Sequence, residues 1–271
     1  MTPSSAPDAT SLARGSSGWL ERYSTLWMLL CLVALWEGSV QFFDIPQFLL
    51  PAPSQVLLLI VDEWGLIQQH SLSTMGSILS GYICAVAFAL CVSALMIRFP
   101  LFERLTMPIF VGMQSVPKIA IAPLILVWVG AGAGSKILVV MSIAFFPIVI
   151  NTMAGFKEVD RGLADVFHSV AASERQLLLR LRLPYAVPYI FAGLRIATTL
   201  AVLGAIVAEW LAASSGLGYL VLSGSFNFNT ARSFAAILAL ATIGTSFFAL
   251  DRKSTRLNSS HTDISRMPSS A

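Results

Sequence analysis

Six stretches of largely apolar residues, each close to the length of a membrane-spanning helix, constrain this chain more than any other feature of its sequence. A helix needs about 20 predominantly apolar residues to cross the hydrocarbon core of a bilayer. The stretches that meet or nearly meet this length are 25–43, 71–97, 107–129, 135–155, 189–212 and 233–250. The pattern predicts an all-α, polytopic membrane protein with six transmembrane helices.

The composition argues against the water-soluble classes of protein. Charged residues make up 11% of the chain and hydrophobic residues 56%, whereas a soluble globular domain is about 25% charged. Too few polar side chains remain to cover a core in water. The net charge of +3 falls to +1 when residues 251–271 are set aside, which gives no reason to expect a nucleic-acid partner. We expect Cys31, Cys84 and Cys91 to be small buried apolar residues, not disulfide partners or metal ligands.

The positions of Lys and Arg predict the orientation of the six spans. Basic residues lie before the first span, after the second and throughout the segment 156–188, whereas the segment 44–70 contains none. Cytoplasmic loops carry an excess of Lys and Arg, so both termini and the 156–188 loop are predicted to be cytoplasmic. We expect residues 1–18 to form a flexible N-terminus and residues 19–250 to form the spanning domain.

The segment 44–70 is predicted to hold a short helix outside the membrane. Three prolines end the first span, and Ser54 is placed to cap a new helix. The apolar spacing over 55–66 suits a helix that lies along the membrane surface. His70, which follows it, is expected at the surface.

The 156–188 loop is too long and too patterned for a simple connection. Connections longer than about 12–15 residues are uncommon unless they have a function. Apolar residues at helical spacing, a turn at Ala172-Ser173 and prolines at Pro184 and Pro188 predict two short amphipathic helices separated by a bend, the second ending at the prolines. Their apolar faces need a partner, and a peripheral protein is the natural one.

Polar side chains inside the spans are the candidates for a functional site, because they are costly in hydrocarbon. Glu209 either lines a pathway or gate, or makes a structural polar contact near the outer mouth of the fifth span. Lys118 either extends its long stem to the interface or faces a cavity. The uncharged candidates are Gln114, Ser115 and Asn151. The spacing of Ser, His, Asp, Glu and Cys predicts no catalytic set and no metal site.

The 156–188 loop resembles the signature of the permease subunits of bacterial ABC importers, which forms their coupling helix. Asp165-Val166-Phe167 stands where that family has Glu-Ala-Ala, and Ala171 stands where it has Gly. Alanine keeps the small size of glycine but loses its easy access to positive φ. The ATPase-coupling residues that the resemblance implies are Asp165, His168, Ala171, Ala172, Ser173, Gln176, Leu183 and Pro184.

Further matches, in the same order along the chain, extend the resemblance from about residue 36 to residue 250. They are similar to nitrate, sulfonate and taurine permeases, and the region after the fifth span is also similar to permeases for a pyrimidine precursor of thiamine. The segments include Trp36-Glu37, Ser115-Val116-Pro117-Lys118, Phe145-Phe146-Pro147, Ala208-Glu209-Trp210 and Gly216-Leu217-Gly218-Tyr219. The resemblance implies a type I ABC importer permease fold in a bacterial inner membrane.

The same resemblance implies the partners of the chain. They are ABC ATPase subunits, an extracytoplasmic substrate-binding protein, a second permease copy in a homodimer, and membrane lipid. No cofactor is expected to bind directly, because ATP is used by the partner ATPase, and the sequence contains no Gly-x-x-x-x-Gly-Lys-Ser/Thr phosphate loop. The substrate stays open among sulfonates, taurine, nitrate and a pyrimidine precursor. An intramembrane enzyme and a non-transporting membrane scaffold are the alternatives of other classes.

The segment after Leu250 changes at once to polar residues without periodicity. Residues 251–271 resemble the translated adapter-type tail that recurs at the ends of unrelated assembled sequences. We expect a non-native, disordered segment there.

Overall fold

The computed structural model describes residues 17–212 and 214–259, and within these residues it contains helices and no β-strand. A 3₁₀ turn, Lys118–Ile121, precedes α5, and a π-helical segment, Leu178–Arg182, joins α8 to α9. The all-helical prediction is confirmed. In chain order the helices are α1 (Ser17–Phe42), α2 (Pro53–Asp62), α3 (Trp64–Arg98), α4 (Pro100–Gln114), α5 (Ala122–Val129), α6 (Ala133–Lys157), α7 (Arg161–Ser169), α8 (Glu174–Leu177), α9 (Leu183–Ala212), α10 (Leu217–Phe226) and α11 (Thr230–Ser259).

Four helices in the described part of the chain are long and apolar enough to cross a membrane, and a strongly bent pair makes five if it counts as one span. The apolar part of α1, Leu26–Phe42, is shorter than these. A count of six spans therefore depends on α1 and stays a prediction. The four long helices are Trp64–Arg98, Ala133–Lys157, Glu174–Leu211 and Thr230–Ala249.

The predicted third span, 107–129, is divided into two helices. Helix α4 ends at Gln114, the chain becomes helical again at Lys118, and the two parts are bent by 98°. Pro117 has no amide hydrogen for a helix, and its ring disfavours helical backbone at Val116. The proline therefore accounts for the break.

Helix α6 lies at the centre of the bundle and packs mainly against α9 and α3. Glycines allow the backbones to approach closely. A Cβ added at Gly155 would lie 2.9 Å from the Cα of Ala186, and one added at Gly193 would lie 3.0 Å from the carbonyl oxygen of Pro147. Lipid tails are as apolar as leucine side chains, so helices in a membrane associate through close packing of this kind.

The outer surface of the bundle is apolar, and the three cysteines belong to it. Cys31, Cys84 and Cys91 are all free and exposed. The prediction that they are buried is wrong, because the apolar stretches of a membrane protein face lipid as well as the protein core.

Helix α2 is capped by a residue from α1. Its N-cap position is Ala52, so the prediction that Ser54 caps it is wrong. Ser54 lies in the first turn, where its amide donates to Glu37 Oε2 at 3.0 Å and its hydroxyl to Glu37 Oε1 at 2.8 Å. The amides of a first helical turn have no partner within the helix, and the Glu37 carboxylate supplies one.

The two ends of the sequence lie partly outside the described residues. Residues 1–16 of the predicted N-terminus and residues 260–271 of the predicted tail are not among them. Helix α11 extends to Ser259. The backbone of 251–259 is therefore helical, although the composition of that segment suggested irregular structure.

Candidate functional site

The 156–188 loop folds as two short helices, α7 and α8, at one end of the bundle. The predicted order of helix, bend and helix is confirmed. The predicted end of the second helix is wrong, because Pro184 and Pro188 lie within α9. The π-helical segment Leu178–Arg182 changes the hydrogen-bond pairing just before Pro184, which has no amide hydrogen. The chain therefore continues from α8 into α9 as one long helix.

The bend between α7 and α8 combines the end cap of one helix with the start cap of the next. The amide of Ala172 donates to the carbonyl oxygen of Phe167 at 3.0 Å, with Ala171 left-handed at φ 52°. This is the hydrogen bond of a Schellman motif, in which Ala171 takes the position that glycine usually occupies. Ser173 Oγ accepts the amide of Gln176 at 3.3 Å, and Gln176 Oε1 accepts the amide of Ser173 at 2.9 Å, which is a capping box.

Some apolar residues of the loop are buried against the bundle, and others are exposed. Leu177 and Leu181 are buried, whereas Val166 is 58% and Val170 70% exposed. Helix α8 is thus packed on the bundle. Within residues 17–212 and 214–259, no element covers the apolar surface of α7.

The residues predicted to couple to an ATPase lie on α7, in the bend, on α8 and at the start of α9. Ala172 is half-buried. His168 lies on the backbone of α7, and its side chain is outside the described residues. The exposed members of the predicted set are Asp165, Ala171, Ser173, Gln176, Leu183 and Pro184.

Three of the predicted pathway residues lie at the break in the third span. Gln114 ends α4, Ser115 follows it, and both are exposed. The ammonium group of Lys118 lies 5.5 Å from the centroid of the Phe146 ring of α6. Asn151 is half-buried further along α6, and its side-chain amide donates to the carbonyl oxygen four residues earlier at 2.8 Å.

An apolar cavity of about 340 Å³ lies beside the same phenylalanine of α6. Four aromatic rings line it together with aliphatic side chains and Ser142, whose hydroxyl donates to the carbonyl oxygen of Val139. The aromatic residues are Phe88, Trp128, Phe145 and Phe146. Phe146 therefore contacts Lys118 and also forms part of the cavity wall.

Glu209 lies apart from the other predicted pathway residues. It is 1% exposed. Its Oε1 accepts the hydroxyl of Thr74 at 2.8 Å, and its Oε2 accepts the amide of Gly218 at 2.8 Å. The same hydroxyl accepts the amide of Leu217 at 2.8 Å. Glu209 thus makes structural polar contacts, and its role in a pathway or gate stays a prediction.

The sequence analysis missed two further residues at this end of the bundle. His70, expected at the surface, is only 8% exposed, so that prediction is wrong. Its Nδ1 accepts the amide of Gly216 at 2.9 Å. Lys136 is 6% exposed, and its Nζ donates to the carbonyl oxygen of Ser215 at 2.8 Å. The one available signal was a lone lysine at the start of an apolar stretch, opposite in charge to Glu209.

Four side chains from α3, α6 and α9 form a group that we call the buried polar cluster: His70, Thr74, Lys136 and Glu209. They surround the backbone of 215–218, which leads into α10. Buried polar groups are costly unless they are hydrogen-bonded. Here the partners are mostly backbone groups of a single loop.

Comparison with known families identifies the class of protein. Residues 77–256, more than half of the chain, match the model of the family described as binding-protein-dependent transport system inner membrane component. The chain belongs to this family. The predictions of a membrane permease and of the ABC importer family are confirmed.

Relatives of this permease are named for the transport of different solutes. It is 36% identical to the formylaminopyrimidine transport permease protein of Halalkalibacterium halodurans over 230 residues, which are 84% of this chain and 91% of that protein. It is 34% identical to the riboflavin transport system permease protein of Chloroflexus aurantiacus over 227 residues, 82% of this chain and 84% of that one. It is 32% identical to the taurine transport system permease protein of Escherichia coli over 222 residues, 79% and 81% of the two chains.

Family membership assigns the general role of this permease. It is a membrane-spanning subunit of an ABC transporter for a small solute, and it resides in an inner membrane. Membership also implies ATPase subunits and a substrate-binding protein as partners.

Proposed function

We propose that this permease, as a homodimer with two ATPase subunits, imports a small solute that carries a heteroaromatic ring. The 156–188 loop is its contact with the ATPase. The observation that carries the proposal is the exposed apolar surface of α7, placed beside a hydrogen-bonded bend.

The continuity of α8 with α9 supports the role of the loop in coupling. The two helices and the π-helical segment between them form one helix, Glu174–Leu211, that is long enough to cross a membrane. Closure of an ATPase dimer around the loop would displace α8, and a continuous helix transmits that displacement to the span. ATP is bound and hydrolysed by the ATPase partner, so the permease needs no cofactor or catalytic group of its own.

The basic residues of the loop support its placement in the cytoplasm, together with both termini. The 156–188 loop contains Lys157, Arg175, Arg180 and Arg182. The connection 44–70 has no Lys or Arg. An excess of basic residues marks cytoplasmic loops.

The aromatic cavity favours a ring-containing solute over an aliphatic sulfonate. Phe88, Trp128, Phe145 and Phe146 line the cavity of about 340 Å³, and aromatic faces stabilise a flat ring by stacking. The ammonium group of Lys118 lies 5.5 Å from the centroid of the Phe146 ring, next to the cavity but outside its lining. A relative named for formylaminopyrimidine transport matches over 91% of its own length, and this is the solute class that we propose.

The first experiment tests assembly with the ATPase. The permease is expressed with its ATPase and binding protein and then purified. We expect the ATPase to co-purify with the wild-type chain, and Val166→Asp on α7 to lower its recovery at least tenfold. Val61→Asp is the matched control, because Val61 is a valine of α2 that is 73% exposed at the opposite end of the bundle. Equal loss of the ATPase from both variants would contradict the assignment of the loop.

The second experiment tests the solute. ATP hydrolysis by the complex in liposomes is measured with binding protein alone and with formylaminopyrimidine, riboflavin or taurine. We expect formylaminopyrimidine to stimulate hydrolysis most. Stimulation by taurine alone would overturn the ring-containing class. An intramembrane enzyme or a scaffold would show no solute-dependent hydrolysis.

A further inference from the structure

The start of α10 is capped by side chains from two other helices. The backbone amides of 216–218 donate, in chain order, to His70 Nδ1 at 2.9 Å, to Thr74 Oγ1 at 2.8 Å and to Glu209 Oε2 at 2.8 Å. Such amides are usually satisfied by the preceding side chain or by water. Here α3 and α9 supply all three acceptors.

The backbone before α10 also fits closely against these side chains. The Nζ of Lys136, from α6, donates to the carbonyl oxygen of Ser215 at 2.8 Å. Gly216 has φ 118°, and a Cβ there would overlap the carboxylate of Glu209. A Cβ at Gly218 would lie 3.0 Å from the Cβ of Glu209. The loop is therefore held by α3, α6 and α9 together, with no space for a larger residue at Gly216.

We propose that the buried polar cluster of His70, Thr74, Lys136 and Glu209 positions α10 in the transport cycle. These residues fasten the start of α10 to α3, α6 and α9, so that the four helices move as one body. The inference rests on the proposed function, because its consequence depends on movement that enters through the 156–188 loop.

The packing of the bundle gives the proposal its mechanical basis. Helix α6 packs mainly against α9 and α3, and these are the helices that supply the cluster. Helix α9 has 30 residues, so at about 1.5 Å per residue it spans about 45 Å. A tilt that begins at α8 therefore reaches α10 at the opposite end. The alternative model is that α10 separates from α3 in each transport cycle.

A disulfide can distinguish the two models. Ser73 Oγ, on α3, lies 3.1 Å from Ser215 Oγ in the loop, which brings two cysteines there near the separation that a disulfide requires. The pair Ser73→Cys and Ser215→Cys is introduced after Cys31, Cys84 and Cys91 have been replaced by alanine. The complex with the ATPase is then reconstituted in liposomes, and ATP hydrolysis per assembled complex is measured in oxidised and reduced samples.

We expect the oxidised and reduced complexes to hydrolyse ATP at rates within twofold of each other, because α10 and α3 do not separate. A tenfold or greater loss on oxidation, recovered with reductant, would overturn the proposal.

A second variant tests the cluster itself. Thr74→Val removes a hydroxyl that both donates and accepts within the cluster, and we expect at least a fivefold loss of ATP hydrolysis per assembled complex. Oxidation of the cysteine pair should restore it, because the covalent link replaces the lost attachment. Thr245→Val is the matched control, since among the described residues its hydroxyl bonds only within α11, to the carbonyl oxygens of Ala241 and Thr242. Unchanged hydrolysis in Thr74→Val would contradict the proposal.

Hydrogen exchange separates this inference from the proposed function. In the purified chain without ATPase, the amides of 216–218 should exchange at least tenfold faster in Thr74→Val than in the wild type. Wild-type amides that exchange as fast as those of exposed loops would overturn the inference alone. A wild-type chain that assembles with no ATPase would overturn the proposed function and the inference together.

Discussion

The amide of Ala172 donates to the carbonyl oxygen of Phe167 at 3.0 Å, and between them Ala171 is left-handed at φ 52°. The family signature that the loop resembles has glycine at the position of Ala171. A left-handed conformation costs a residue other than glycine about 1–2 kcal/mol. The bend thus keeps its geometry without glycine, because hydrogen bonds on both sides hold it.

The first prediction concerns Ala171. Ala171→Gly should stabilise the bend by about 1 kcal/mol, because glycine has no Cβ to strain at positive φ. The measurement is hydrogen exchange of the Ala172 amide, which should slow about fivefold. Ala171→Val should have the opposite effect and weaken recovery of the ATPase, since a β-branched residue is strained there. Faster exchange in the glycine variant would show that the bend is not strained.

The second prediction concerns the capping box of α8. Ser173→Ala removes the acceptor for the Gln176 amide, and loss of an N-cap costs about 1 kcal/mol. We expect the affinity for the ATPase to fall about fivefold, as measured by titration of the ATPase onto the chain in liposomes. Ser169→Ala is the control, because the hydroxyl of Ser169 donates to the carbonyl oxygen of Val166, within α7, and to no other group in the described part of the chain. Equal losses of affinity for the ATPase in the two variants would contradict a role for the Ser173 cap.

The third prediction concerns the break in the third span. Cysteines at Gln114, Ser115 and Lys118, in a chain otherwise without cysteine, should react with a charged, membrane-impermeant thiol reagent if the break lines a pathway. Cysteine at Val127 should stay unreactive. Val127 is 80% exposed on α5 and apolar, which is typical of a lipid-facing position. Labelling at Val127 alone would place the pathway on another face.

The fourth prediction compares two ion pairs in the described part of the chain. Arg232 Nε donates to Glu63 Oε2 at 2.8 Å, with side chains 28% and 25% exposed. Lys157 Nζ lies 2.5 Å from Glu103 Oε1, with side chains 61% and 19% exposed. Arg232→Ala should lower the free energy of unfolding by about 2 kcal/mol, because hydrogen bonds to charged groups contribute about 1.5–3 kcal/mol.

Lys157→Ala is the control for that comparison. The lysine of this pair is mostly exposed to solvent, and an ion pair screened in this way is typically worth less than about 1 kcal/mol. The unfolding temperature of Lys157→Ala in detergent should therefore change little. A larger loss of stability from Lys157→Ala than from Arg232→Ala would contradict the assignment of the two pairs.

The polar residues show where prediction from sequence succeeded and where it failed. The cost of a carboxylate in hydrocarbon singles out Glu209 from the sequence alone. His70 gave no such signal, and the lone lysine at position 136 gave only a weak one, because each lies near the start of its helix, where a polar residue is ordinary. Their partners, Gly216 and Ser215, are 146 and 79 residues away, and backbone acceptors and donors leave no trace in the pattern of side chains.

The sequence by itself determined the class of the protein and the plan of the 156–188 loop. Apolar length, the placement of basic residues and the spacing of turn and cap residues are local properties, and they already require helices in a membrane joined by a two-helix loop. Only the tertiary structure decided that α8 runs into α9, that Glu37 caps α2 and that four polar side chains close around 215–218. The contacts of Glu37 and of the four polar side chains depend on groups that only folding brings within hydrogen-bond distance. The continuity of α8 and α9 depends on a change in helical hydrogen-bond pairing that accommodates Pro184.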